Sequence, residues 1–74
     1  MRFKNLECVA LSRDLPEHGL CKGDLGTVVE TYDPDGLEVE FATASGETQA
    51  VVTLSAADVR KVSATDILAV RALD

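Results

Sequence analysis

Leu37, Val39 and Phe41 are separated by Glu38 and Glu40, the most regular alternation of apolar and polar positions in the chain. A period of two predicts a strand with one dry face and one wet face. Upstream, Leu25 to Tyr32 predicts another strand around the β-branched run Thr27-Val28-Val29, and Asp33-Pro34-Asp35-Gly36 between them has the proline and glycine placement of a tight reversal. Ala44-Ser45-Gly46-Glu47 supplies the next turn. Thr48 to Leu54 then predicts a strand with Ala50, Val52 and Leu54 toward the core, so three consecutive antiparallel strands form a meander. Ahead of it, Leu6 to Leu11 reads as a short first strand.

The meander is entered through Gly19 to Glu30. Gly23-Asp24 predicts a turn there, and Gly26 marks a bulge or a point where another backbone passes closely. Between the first strand and this stretch, Ser12 to Leu20 is a loop pinned by Pro16 and released by Gly19. Leu15 and Leu20, apolar in polar surroundings, are its expected tethers to the core. Past the meander, Ser55-Ala56-Ala57-Asp58 and Ser63-Ala64-Thr65-Asp66 repeat the serine and acid spacing of a capping box, predicting one helical turn each. The first turn feeds a short closing strand over Val59 to Val62. After the second, Ile67, Leu68, Val70 and Leu73 suit an amphipathic helix or a final strand, and the parallel with the first copy favours strand. The expectation is one all-β domain over residues 1–74: a small, strongly bent antiparallel barrel of five or six strands with short helical turns. Residues 63–74 extend it as strand or short helix, and closure of the sheet would bury most edges.

A 74-residue chain buries only about 60% of the surface its unfolded form exposes, so the core is thin and its stability is marginal or shared with a partner. The net charge of −6 includes no basic block, which opposes binding to nucleic acid and leaves solubility or attraction to a basic partner as its use. Phe3, Tyr32 and Phe41 are the only aromatic residues, too few for a proline-rich-peptide groove or a base-stacking platform. Cys8 and Cys21 lack a CxxC spacing and no secretory signal precedes them, so the expectation is two reduced, partly buried thiols in a cytoplasmic protein. No stretch approaches a transmembrane length.

Constellations with chemical potential are few. Cys8, His18 and Cys21 offer three soft ligands for zinc, but zinc sites announce themselves by close ligand pairs, which are missing. Cys21 with His18 as base lacks an evident group to orient the imidazole. Asp33-Pro34-Asp35-Gly36 with Glu38 lacks the third ligand of a calcium loop. No catalytic residue, metal ligand or cofactor is therefore assigned. Glu30, Glu38 and Glu40 are expected on one exposed face, with Arg60 and Lys61 as candidates to relieve their repulsion.

The segments Asp14-Leu15-Pro16-Glu17-His18-Gly19-Leu20, Lys22-Gly23-Asp24-Leu25-Gly26-Thr27-Val28-Val29-Glu30, Val39-Glu40-Phe41 and Val52-Thr53-Leu54 resemble the bacterial domain-of-unknown-function 4926 family, over Leu6 to about Val62. The resemblance implies an SH3-like barrel and carries no agreed activity and no assigned functional residue. More distantly, Lys22 to Val28 is similar to the Gly-x-x-Gly-x-Val core of KOW-type SH3-like modules.

The expected function is that of a non-enzymatic module binding a protein, one with basic character. Its candidate contacts are Leu15, Pro16, His18 and Leu20 on the loop and Glu38 and Glu40 on the charged face. The alternatives are a KOW-like nucleic-acid or ribosome-associated module and a small antitoxin-like accessory protein. Self-association is expected through Ile67, Leu68, Val70 and Leu73.

Overall fold

The computed structural model describes residues 2–73 and holds five strands: β1 (Cys8–Leu11), β2 (Leu25–Tyr32), β3 (Gly36–Ala42), β4 (Thr48–Ser55) and β5 (Val59–Lys61). All pair antiparallel in one sheet of order β4-β3-β2-β1-β5, so the all-β expectation and the meander stand. The closed barrel is corrected: β4 and β5 do not pair, and each leaves an open edge. The sheet is nonetheless strongly bent. A single 3-10 turn, Ala56–Asp58, carries the chain from one edge strand to the other. Such a turn advances about 2 Å per residue, about 8 Å in all, whereas the outer strands of a flat five-stranded sheet stand about 19 Å apart. The edges must therefore curl toward each other.

That curl creates the inside on which the core collects. Leu37, Val39 and Phe41 point in from β3, meeting Val28, Val52, Leu54, Val9, Leu11 and Val59 from the other strands. No polar or charged residue is buried among the described residues. Phe3, which sequence periodicity does not flag, joins the core and lies under two cations, 5.2 Å from the Arg2 guanidinium and 5.5 Å from the Lys61 ammonium. The Ser55 capping box forms as expected: Asp58 Oδ2 accepts the Ser55 backbone N–H at 3.0 Å, while its Oδ1 accepts Arg13 Nε at 2.9 Å.

Gly26 and the bulge prove to be separate devices. The register shifts between Val28 and Glu30, so Val29 is the extra residue that sharpens the twist of β2. At Gly26 it is side chains, not another backbone, that come close: a Cβ there would stand 2.6 Å from Val39 Cγ1 and 2.8 Å from Phe41 Cε1.

Two boundaries differ from expectation. The first strand begins at Cys8 because Leu6 takes a left-handed conformation (φ 71°) after a turn closed by Glu7 N–H donating to the Lys4 carbonyl. The tail from Ile67 to Leu73 is neither the favoured strand nor a helix. A strand needs a ladder and a helix needs a buried stripe. The tail has no backbone hydrogen bond among the described residues, and Ile67 and Val70 are 94% and 100% exposed. Of the second capping box, Asp66 Oδ2 accepting the Ser63 N–H at 2.7 Å survives as a single turn. No helix among the described residues is long and apolar enough to cross a membrane.

The clash at Gly26 yields a test. Gly26→Ala should destabilise the domain by about 1–3 kcal/mol, since Val39 and Phe41 are core side chains with no room to yield. Urea unfolding of the variant reads this directly; an unchanged midpoint would show that β2 and β3 can part without cost.

Candidate functional site

The loop expected to cross the sheet is closed on itself. Leu15 and Leu20 exchange backbone hydrogen bonds of 2.9 and 3.1 Å, and both side chains are buried, at 1% and 4% exposure. Between them Pro16–His18 make a 3-10 turn ended by Gly19, whose φ of 68° suits glycine. The loop is thus an anchored bracket. Pro16 and His18 stand on its exposed crest, while Leu15 and Leu20 hold it down and face the core.

Beyond the bracket the chain turns through Gly23 (φ 94°) into Asp24, at the mouth of β2. The Asp24 carboxylate is the most heavily engaged group on this side. It accepts the Cys21 backbone N–H at 2.8 Å and, from the far end of the chain, both Nε (2.9 Å) and Nη2 (2.6 Å) of Arg71. Arg71 Nη2 also donates to the Gly19 carbonyl at 3.0 Å. This is a two-pronged arginine–carboxylate contact, the strong and directional kind. Donation by Arg71 first, and by the Cys21 N–H second, holds the Asp24 carboxyl below the usual carboxylate range despite partial burial.

The Arg71 contact draws residues 69–73 across the open end of the sheet. Beneath and beside them lies a groove with a cavity of about 520 Å³. Leu20, Leu25, Phe41, Ala42 and Ala44 give it an apolar lining, and Asp24, Thr43, Gln49 and Arg71 supply the polar groups. A smaller hollow of about 140 Å³ shares Leu25 and Ala42 with the groove and reaches Cys8, Thr27 and Glu40. One surface therefore runs from Asp24, over apolar side chains, to Glu40.

The glutamate face forms as expected. Glu30 pairs with Glu38 across β2 and β3, and Glu40 with Thr27. Relief of their repulsion comes from hydroxyls: Thr53 donates to Glu38 and Thr48 to Glu40. Arg60 and Lys61 do not serve there. They pair with Asp66 at 2.9 Å and Glu7 at 3.4 Å, close in sequence or on the neighbouring strand end. Both cysteines are exposed, a correction to partial burial, because Cys8 opens β1 at its exposed end and Cys21 lies in the turn before Asp24. Among the described residues no three His, Cys, Asp or Glu side chains converge as a metal site would require.

Of the six residues expected to form contacts, Leu15 and Leu20 are corrected from surface to core, because the hydrogen bonds that close the bracket turn both side chains inward. Pro16 and His18 on the crest adjoin the groove through Gly19, and Glu40 borders it through the shared hollow. Glu38 stands one pair further out on β3. Asp24 and Arg71, the centre of the arrangement, escape sequence reasoning because they lie 47 residues apart, Asp24 reading only as part of a turn and Arg71 belonging to no motif. The one available signal was a lone arginine in an otherwise apolar tail.

Because the folded Asp24 carboxyl titrates below its unfolded value, the tail contact is fully present above the ordinary carboxylate pKa and is lost as pH falls through the folded one. Heteronuclear NOE values for residues 69–73 should therefore hold down through the ordinary carboxylate range, about pH 3.9, and fall to those of free chain only at lower pH, and Arg71→Gln should produce the same loss at neutral pH. Values unchanged in both experiments would mean that something other than Asp24 holds the tail.

A family model described as Domain of unknown function (DUF4926) matches residues 5–61, from just ahead of β1 to the last residue of β5. No curated protein and no solved structure matches the chain.

Proposed function

We propose that this chain, which belongs to the DUF4926 family, is a non-enzymatic module that binds a protein through the groove over Leu25, Ala42 and Ala44. The observation that carries the reading is the groove itself, an open surface depression of about 520 Å³ whose exposed lining is apolar at Leu25, Ala42 and Ala44 with a few placed polar groups. Those groups are an acid, an amide, a hydroxyl and an arginine already bound to the acid, a set suited to recognition by shape and charge. The exposed crest at Pro16 and His18 extends the contact area on one side and Glu40 and Glu38 on the other.

Charge gives the partner its sign. Arg13, Arg60, Lys61 and Arg71 are each engaged by a carboxylate of the same chain, so most of the seven cations are spent internally. With a net charge of −6 the outward field favours a basic protein. Two exposed, unpaired thiols agree with work in a reducing compartment such as the cytoplasm.

Affinity capture by the tagged protein from lysate of its own source, after nuclease treatment, tests this. Ala44→Trp fills the groove from an exposed turn and should cut recovery of a stoichiometric protein by about tenfold or more, as loss of a central contact does, with thermal unfolding unchanged. Equal recovery by Ala44→Trp and wild type, or retention that vanishes with nuclease, would contradict the reading.

A further inference from the structure

The groove already holds a piece of its own chain. Residues 69–73 line it without a backbone ladder, and the side chain that fixes them is Arg71. A segment kept there for stability would bury its apolar side chains. This one leaves Val70 fully exposed and Leu73 nearly half exposed, while a cavity of about 520 Å³ stays unfilled beside it. Its one good contact is the guanidinium, which places two N–H donors on Asp24 and a further bond on the Gly19 carbonyl.

We infer that residues 69–73 stand in for the segment the groove takes from its protein partner, an extended stretch whose arginine replaces Arg71 on Asp24 and the Gly19 carbonyl. The inference rests on the groove being a protein-binding site and adds the chemistry of what enters it. Exchange of one arginine for another at Asp24 is near neutral, so the incoming segment must gain elsewhere. It gains by placing apolar side chains against Leu25, Ala42 and Ala44, the exposed apolar part of the lining, in the space the tail leaves empty. Arginine is required over lysine because Asp24 meets a planar fork; an ammonium cannot satisfy both carboxylate oxygens and the carbonyl from one position. Acidity continues beyond the groove at Glu40 and Glu38, which favours further basic residues along the same segment. The tail sets a threshold. Tethered at an effective concentration of the order of millimolar, it keeps weak ligands out and yields to one that fills the cavity.

The test uses the full chain and a fluorescein-labelled peptide copying residues 66–74. Fluorescence anisotropy should show Arg71→Ala, whose own tail no longer competes, binding the peptide about tenfold more tightly than wild type does. Replacing the peptide's arginine by glutamine or lysine, or adding Asp24→Asn to the Arg71→Ala chain, should weaken binding by about tenfold or more. The amide oxygen that Asp24→Asn introduces still accepts the Cys21 N–H, so the turn is kept while the charge is lost. No binding to Arg71→Ala up to about 1 mM, or equal binding of the arginine and glutamine peptides, would overturn the inference. So would a wild-type dimer in sedimentation that Arg71→Ala splits, since the occupant would then be the tail of a second copy. These failures are separate from that of the binding-module reading, which falls if Ala44→Trp captures what wild type captures or if retention vanishes with nuclease.

Discussion

The carboxylate of Asp24 is where the parts of this small chain are tied together. Its side chain closes the turn from Cys21 and receives the tail through Arg71, and its backbone carbonyl accepts the Leu11 N–H from the end of β1. Arg71 carries the connection on to Gly19, at the foot of the Leu15–Leu20 bracket. Remove the negative charge and the bracket and sheet remain, since both stand on buried leucines and ladder bonds. The groove, however, loses its cover and its one strongly directional contact. Fold and site thus depend on different forces: burial in a bent sheet for the first, a charge-assisted hydrogen bond for the second.

What could be read from the sequence follows from how locally each feature is encoded. The meander was legible because the alternation of Leu37, Val39 and Phe41 with glutamates, and the turns on either side, are short-range signals. Leu15 and Leu20 were legible as tethers for a similar reason, being the apolar residues of a polar loop, and the capping box at Ser55 because its two partners lie three residues apart. Closure of the sheet was not. Whether β4 and β5 pair depends on how far a 3-10 turn of three residues brings two edges together, a property of the whole sheet. The tail misled because Ile67, Leu68, Val70 and Leu73 are apolar without being buried; the pattern of a strand was present and its neighbour was absent. The Asp24–Arg71 contact had no periodic signal at all.

The same separation explains the electrostatics. Acidic residues outnumber basic ones by thirteen to seven, and several of the basic ones are held within the chain, Arg13 by Asp58 and Arg60 by Asp66. The acids near the groove are answered differently, by hydroxyls at Glu38 and Glu40 and by the tail's Arg71 at Asp24. The matched family region ends at Lys61, so the sheet that builds the groove lies within it and the segment that covers the groove lies beyond it.

Amide chemical-shift mapping with an arginine-bearing peptide is the most direct measure of that account. The account predicts shifts concentrated at Leu20, Asp24, Leu25, Ala42, Ala44 and Gln49, accompanied by movement of the amides of residues 69–73 to free-chain positions. Shifts clustered on β5 and the Ala56–Asp58 turn instead, or a tail whose resonances stay in place at saturation, would contradict it.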